Sequence, residues 1–534
     1  MAHSTIRRAA QVLAAAVVMV GPISAIMPAA AEKVLRIANM AEPETLDPHK
    51  SSTVDASNIL RNLFEGLMVL DPSGNVAPGV AESFSISEDG LTYSFRLRSN
   101  AKWSNGEPVT AYDFVYSLRR IEDPKTHSQY AEVLYPIKNA QEVNTGKAAP
   151  TELGVAASGP GTVEITLKAP TPYFLQLLTH TSALPVNERA VTRFGDEWLK
   201  PGNMASNGAY MLGDVKPNSH VRIVKNPNYW DAAKITIDAA VFDPSEDRAG
   251  VLKRYRAGEF DVLRDLPNDQ LAWLRQNMPQ ELHIAPYAGV YFYALNTTKP
   301  PFNDKRVRLA LSMAINREIL VEKITAAGEL PAYGFVPDGT ANYTPRRAPW
   351  RTMSQAQRET AAQKLLSEAG YGPNKPLRFE LAYNTSENHK RIAIALAAMW
   401  KKLNVSVELV NTEWKVHLSN MRIGNFQMGR EGWIADYNDA QSYLFLLQTS
   451  TRQQNYSRFS NPEYDRLMDE ASVTADAGKR AALLEQAEGI LLEEMPVIPI
   501  YFYVSKNLVS TKVKGWQDNP LDAEYLRNLS LAEQ

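Results

Sequence analysis

Residues 377–410 read LRFELAYNTSENHKRIAIALAAMWKKLNVSVELV, and their organisation decides the fold class. Residues 377–383 read as a strand with alternating apolar and polar positions, 389–403 as a helix and 405–410 as a second strand. A strand, a helix and a strand in that order form a βαβ unit, whose two strands lie parallel in one sheet because the helix carries the chain back to the starting edge. The chain is therefore expected to be α/β.

Working outward, residues 34–39 and 91–98 read as strands, and 161–167 as another that ends before Pro170. Residues 103–108 form a turn cluster, after which Thr110 and Asp113 make a capping box for a helix carrying Phe114, Val115 and Leu118. Asn303 or Asp304 caps a helix whose apolar positions Val307, Ala310, Leu311, Ala314 and Ile315 follow the helical period, and Asn461-Pro462 opens a further one. Two apolar runs, 287–295 and 497–504, stand about two hundred residues apart. They are expected to pair and cross between lobes as a hinge, the plainer reading being ordinary core strands.

The chain has 534 residues and a formal net charge of −2. Arg7 and Arg8, the apolar run 9–20 and the small-residue site Ala29-Ala30-Ala31 read as a secretory signal peptide over residues 1–31, with the mature protein starting at Glu32. The surroundings of the two arginines favour ordinary secretion over the twin-arginine route. Removing this segment takes away two arginines and no acid, which leaves a net charge of −4 and argues against nucleic-acid binding. With no cysteine, the chain has neither disulfides nor a lipidated N-terminal cysteine, so a periplasm is the expected location and no direct membrane anchor is expected. The length calls for two or three domains. The lack of a Gly/Ser or Pro-rich linker calls for domains built from discontinuous segments.

The stretch from Gly429 to Asn438 carries the chemistry, because Arg430 and Asp436 stand six residues apart on an otherwise apolar segment. Extended backbone would point both side chains the same way, about 20 Å apart, with a bare main-chain edge between them. An extended peptide could pair with that edge, its amino group at Asp436 and its carboxylate at Arg430. Taken singly, Arg430 also reads as a solvated charge, Asp436 as a cap beside Tyr437-Asn438, and Trp414 and Trp433 as core packing.

No phosphate loop, dinucleotide fingerprint, nucleophile elbow or zinc-protease motif occurs, and the eight histidines lack ligand spacing. No enzyme activity, metal or cofactor is expected. Meanwhile Leu46-Asp47-Pro48, residues 63–67, 77–83 and 102–106, Asn207-Gly208-Ala209-Tyr210, residues 226–230 and 302–308 together resemble the periplasmic peptide-binding proteins of ABC importers over essentially the whole mature chain.

The resemblance implies a monomeric two-lobed receptor with a hinge and an extra third domain, which closes on a peptide of roughly two to five residues and hands it to an inner-membrane ABC permease. It implies a first lobe of residues 32–64, 189–288 and 504–534, an extra domain at 65–188 and a second lobe at 289–503. It also implies that Asp436 holds the ligand's α-amino group, Arg430 the carboxylate of a short peptide, and His389 that of a longer one. Trp414 and Trp433 would wall side-chain pockets, and Gly432 and Ile434 would offer backbone bonds. Tyr130 and the strand from Ser52 to Val54 line up with ligand-facing positions, and Tyr287 and Phe292 with the hinge wall. Two departures, Thr325 where such a receptor has a lysine and Ala294 where it has a pocket glutamate, bear on five-residue and basic ligands. The alternatives are a narrower ligand such as murein tripeptide, an unrelated solute such as a metal chelate, and a secreted peptide hydrolase.

Overall fold

In the computed structural model of the chain, which describes residues 32–451 and 454–532, the two long apolar runs pair antiparallel in the middle of one eleven-stranded mixed sheet. They are longer than their apolar cores, spanning Leu282–Leu295 and Val497–Val509. On one side the sheet continues through Met428–Ile434, Leu377–Asn384 and Val405–Thr412. On the other it continues through Val262–Arg264, Val34–Asn39, Ala239–Pro244, His220–Lys225 and Tyr210–Lys216. Leu330–Pro331 attaches to Val497–Val509 off this path.

The central pair is not regular along its length. Leu282 to Pro286 pairs with Leu508 to Val504, the register then shifts, and Val290 to Ala294 pairs with Phe502 to Val497. The first stretch is flanked by Val262–Arg264 and the second by Met428–Ile434, so the irregularity lies where one flanking strand gives way to the other. At Gly289 a Cβ would overlap the Ile434 side chain and the Trp433 carbonyl, so only glycine lets the crossing strand approach its neighbour this closely.

The βαβ unit is present. Leu377–Asn384 and Val405–Thr412 are parallel in register, joined by the helix Glu387–Lys401. That helix starts two residues before His389, behind Ser386, so His389 stands inside the first turn. Its apolar face, with Ile392, Leu396 and Trp400, packs with Leu311, Leu381 and Tyr291 in the core of this lobe. Trp400 buries its ring and donates its indole N–H to the Leu311 carbonyl at 2.9 Å, so no polar group is left unpaired. Asp304 caps Lys305–Met313 through the Arg306 N–H, and Ala314 and Ile315 are buried just past its end. Asn461 accepts from the N–H groups of Glu463 and Tyr464 to start the helix Pro462–Val473.

Residues between the first strand and the middle of the chain form a separate four-stranded antiparallel sheet of Ala81–Ile86, Thr92–Leu97, Thr162–Thr166 and Val155–Ala157. The helix Ala111–Glu122 covers it, begun by the Asp113 carboxylate accepting from the Thr110 N–H and hydroxyl at 2.7 and 2.9 Å. Residues 1–31, where a signal peptide is expected, lie outside the described residues. Among the described residues no helix is long and apolar enough to cross a membrane.

Candidate functional site

Met428–Ile434 pairs along its whole length with residues 289–295, but on its other side it meets Leu377–Asn384 only at Met428 and Gly429. From Arg430 onward that second edge is open. In an antiparallel pair the N–H and C=O of a residue point to the same side and alternate along the strand. The Arg430 carbonyl points outward, to His417 Nε2 at 2.9 Å, while the Ala435 N–H points inward, to the Ala288 carbonyl at 2.7 Å. Gly432 and Ile434 therefore present their main-chain groups to the open edge. A Cβ at Gly432 would strike the Tyr503 hydroxyl, so glycine leaves room for the hydroxyl that accepts from Arg430.

The strand ends at Ile434, which corrects the expectation of extended backbone as far as Asp436. Asp436 sits in the bend that follows, held by its N–H to Ser442 Oγ at 3.0 Å. Its carboxylate is reached from the opposite wall by the Tyr130 hydroxyl and by His180 Nε2, the latter at 3.3 Å. His180 Nδ1 accepts from the Ser182 N–H at 3.2 Å, so the imidazole proton is on Nε2, the nitrogen that faces Asp436. Burial holds the His180 pKa down at about 3, with Arg61 adding to the effect, so this donor is neutral. Asp436 thus has one hydrogen-bond donor, Tyr130, with the neutral His180 ring beside it and no cation among the described residues, and burial raises its pKa to about 7 against the lowering effect of the Tyr130 bond.

At the other end, the Arg430 guanidinium donates to Tyr503 at 2.7 Å and to Asn384 Oδ1 at 3.3 Å, and lies 4.6 Å over the Tyr291 ring. Its Nε has no partner, and among the described residues no carboxylate forms an ion pair with it. His389 lies beside it, with Nδ1 3.4 Å from the Tyr291 hydroxyl. Burial, then the charges of Arg430 and Arg248, push its pKa well below the ordinary value, so His389 offers a neutral hydrogen bond and not a charge.

All twelve residues singled out from the sequence line one cavity of about 320 Å³: Ser52, Val54, Tyr130, Tyr287, Phe292, His389, Trp414, Arg430, Gly432, Trp433, Ile434 and Asp436. Ser52 and Val54 do not form a strand, since Thr53 is extended but Val54 already begins the helix Val54–Leu63. Trp433 is fixed by its indole N–H on the Ser442 carbonyl at 2.6 Å and meets Tyr130 and Phe445 edge-on, while Trp414 stacks on His417. Tyr287 packs against Tyr503 at the register shift. Ala294 lines the cavity and Thr325 does not, being buried with its hydroxyl on Glu329. Other lining residues carry no local signature in the sequence: His180, Arg61, Arg248, Lys506, Tyr503 and Glu431. Lys506 is committed to Asn268 at 2.9 Å and lies 3.5 and 3.7 Å from Glu329 and Asp265.

Several bonds cross the mouth. Arg422 reaches Glu44 at 2.9 Å and Ser52 at 2.8 Å, Lys415 lies 3.4 Å from Glu42, Asn388 bonds Asn268 and the Leu266 carbonyl, and Gln454 bonds the Gln129 carbonyl. These bonds hold the two walls together over an anionic and a cationic group separated by an open strand edge. Such a cleft defines a binding protein of the two-lobed kind, in which closure around a solute completes the site.

The sequence profile of the bacterial extracellular solute-binding proteins, family 5 (Middle), matches residues 75–455, and the chain belongs to that family. It is 43% identical over 496 residues to the periplasmic murein peptide-binding protein MppA of Escherichia coli (strain K12), covering 92% of each chain. It is 42% identical over 500 residues to the periplasmic oligopeptide-binding protein OppA of the same organism, covering 93% of this chain and 92% of OppA. A solved structure of the E. coli murein tripeptide binding protein MppA superposes with a TM-score of 0.92 at 42% identity, covering 95% of this chain and 99% of the other. The unliganded open form of MppA, at the same identity and covering 94% and 98%, reaches only 0.66. The arrangement of the lobes here therefore departs from that open form.

Proposed function

We propose that this chain is a periplasmic receptor of an ABC importer, which captures short peptides by main-chain pairing and terminal ion pairs and delivers them to an inner-membrane permease. The observation that carries this reading is Asp436, a buried carboxylate with one neutral donor and, among the described residues, no cation, beyond one end of an open strand edge whose other end is Arg430. A ligand ammonium supplies the missing charge, and a ligand carboxylate accepts from Arg430 in the same way. Between them Gly432 and Ile434 pair with the peptide backbone, so side-chain identity enters only through the pockets. The names of MppA and OppA support this reading. The open edge from Arg430 to Ile434, about 13 Å long before the chain bends to Asp436, suits peptides of roughly two to five residues.

Export by a signal peptide cleaved near Ala31, action as a monomer and the absence of catalysis belong to the same reading. So do the lobe boundaries at 288/289 and 503/504 with the extra domain at 65–188. The register shift between Pro286 and Val290 supports those boundaries. The lobes close by a hinge there, and ligand shifts a modest open-to-closed free-energy difference because only the closed form makes both ion pairs.

The test is to unfold the purified protein and identify by mass spectrometry what it carried. The expected result is a mixed set of short peptides. A single compound would reduce the reading to a narrower receptor, a non-peptide solute would overturn it, and release of cleaved fragments on incubation with peptide would make the chain a hydrolase.

A further inference from the structure

Glu431 is the second buried carboxylate of the cleft, and the terminal ion pairs leave it without a role. As the neighbour of Arg430 on a strand it points to the opposite face, directly across from Phe292. It is 5% exposed and lines the cavity, and among the described residues its Oε1 has no hydrogen-bond partner. Its Oε2 has only the N–H of Gly432 at 3.4 Å, beyond the range of a good bond. His417 Nε2 lies 3.8 Å away, but its proton is engaged on the Arg430 carbonyl, and burial holds the ring neutral with a pKa of about 4. Arg422, whose charge also reaches Glu431, is committed to Glu44 and Ser52. Burial raises the Glu431 pKa to about 7, opposed chiefly by Arg430 across the strand. A buried carboxylate that lacks a cation is unfavourable unless something brings one.

Resting on the peptide-receptor reading, we propose that Glu431 is a specificity-determining residue that receives the cationic tip of a lysine or arginine side chain of the bound peptide. Side chains of an extended ligand alternate between the two faces of the strand it joins, and Phe292, which shares the Glu431 face, and Trp414, which stacks on His417, line the same cavity as Glu431. Apolar walls leading to one carboxylate oxygen match a long aliphatic stem with a charged end. A neutral isostere of the same length gains the walls but leaves Oε1 unpaired, and that difference is what discriminates.

The test uses calorimetric titration of the mature protein at pH 7.5 with Ala-Ala-Ala, with Ala-Lys-Ala and Ala-Ala-Lys, and with the same two peptides carrying norleucine for lysine. One lysine peptide is expected to bind at least about tenfold tighter than its norleucine counterpart, and Glu431→Gln is expected to collapse that ratio to within about threefold. Glu431→Asp, which keeps the charge, is expected to retain part of it. Equal binding of lysine and norleucine by a wild-type protein that binds Ala-Ala-Ala overturns this inference alone, as does a preference that survives Glu431→Gln. A protein that binds none of the five peptides overturns the peptide-receptor reading together with it.

Discussion

Asp436 and Arg430 share a property: each is a buried charged group whose hydrogen bonds all come from neutral partners. That condition separates a binding residue from a structural ion pair such as Arg120 with Asp47, whose two charges answer each other at 2.6 Å. Arg430→Ala is expected to weaken tripeptides by at least about thirtyfold, near 2 kcal/mol, and five-residue peptides by much less, because the longer carboxylate extends past it. Calorimetry on a length series checks this, and a loss independent of length would contradict it. The pH dependence follows from Asp436, whose pKa of about 7 in the closed empty cleft stands above its unperturbed value of 3.8. The closed empty form holds a proton that the solvated group does not, so closure without ligand becomes easier as pH falls below 7, by about 1.4 kcal/mol per unit. Glu431 and Asp55, also raised to about 7 by burial in the cleft, act in the same direction. Small-angle scattering of the peptide-free protein should show a smaller radius at pH 5.5 than at pH 8, with a weaker change in Asp436→Asn. An identical radius at both values would contradict this. His180 and Glu431 escaped the sequence reading for a plain reason: one arrives from about 250 residues away in the chain, and the other looks like any strand glutamate until its surroundings are known.

At the scale of elements, the strand Met428–Ile434 matters for the side it leaves unpaired. Gly432→Val is expected to press on Tyr503 and cover that edge, costing every tripeptide at least about tenfold in affinity whatever its side chains. Calorimetry with Ala-Ala-Ala would contradict the edge model if affinity were unchanged. Periodicity made the βαβ unit and both central strands legible, because their apolar positions repeat over seven or more residues. The end of the strand at Ile434 was harder to read. Asp436, Tyr437 and Asn438 are turn formers, yet the apolar residues before them continue the strand pattern, and only the bond from Asp436 to Ser442 decides where it bends. The three-residue strand Val155–Ala157 left no signal, since its pairing partner supplies most of its order.

For the whole molecule, the Tyr130 hydroxyl and His180 from one wall meet Asp436 from the other, so the proposed amine site is complete only when the lobes meet. The contrast between TM-scores of 0.92 and 0.66 against two structures of one relative fits a molecule described in a closed arrangement. On the proposed reading ligand binding and closure are one event, in which a ligand ammonium makes burial of Asp436 favourable. The most direct measurement is calorimetric titration at pH 7.5 with Ala-Ala-Ala and with N-acetyl-Ala-Ala-Ala. The free tripeptide is expected to bind at least about thirtyfold tighter, and Asp436→Ala to erase that difference. Equal affinity of the wild-type protein for the two peptides would contradict the role of Asp436 as the amine-binding carboxylate.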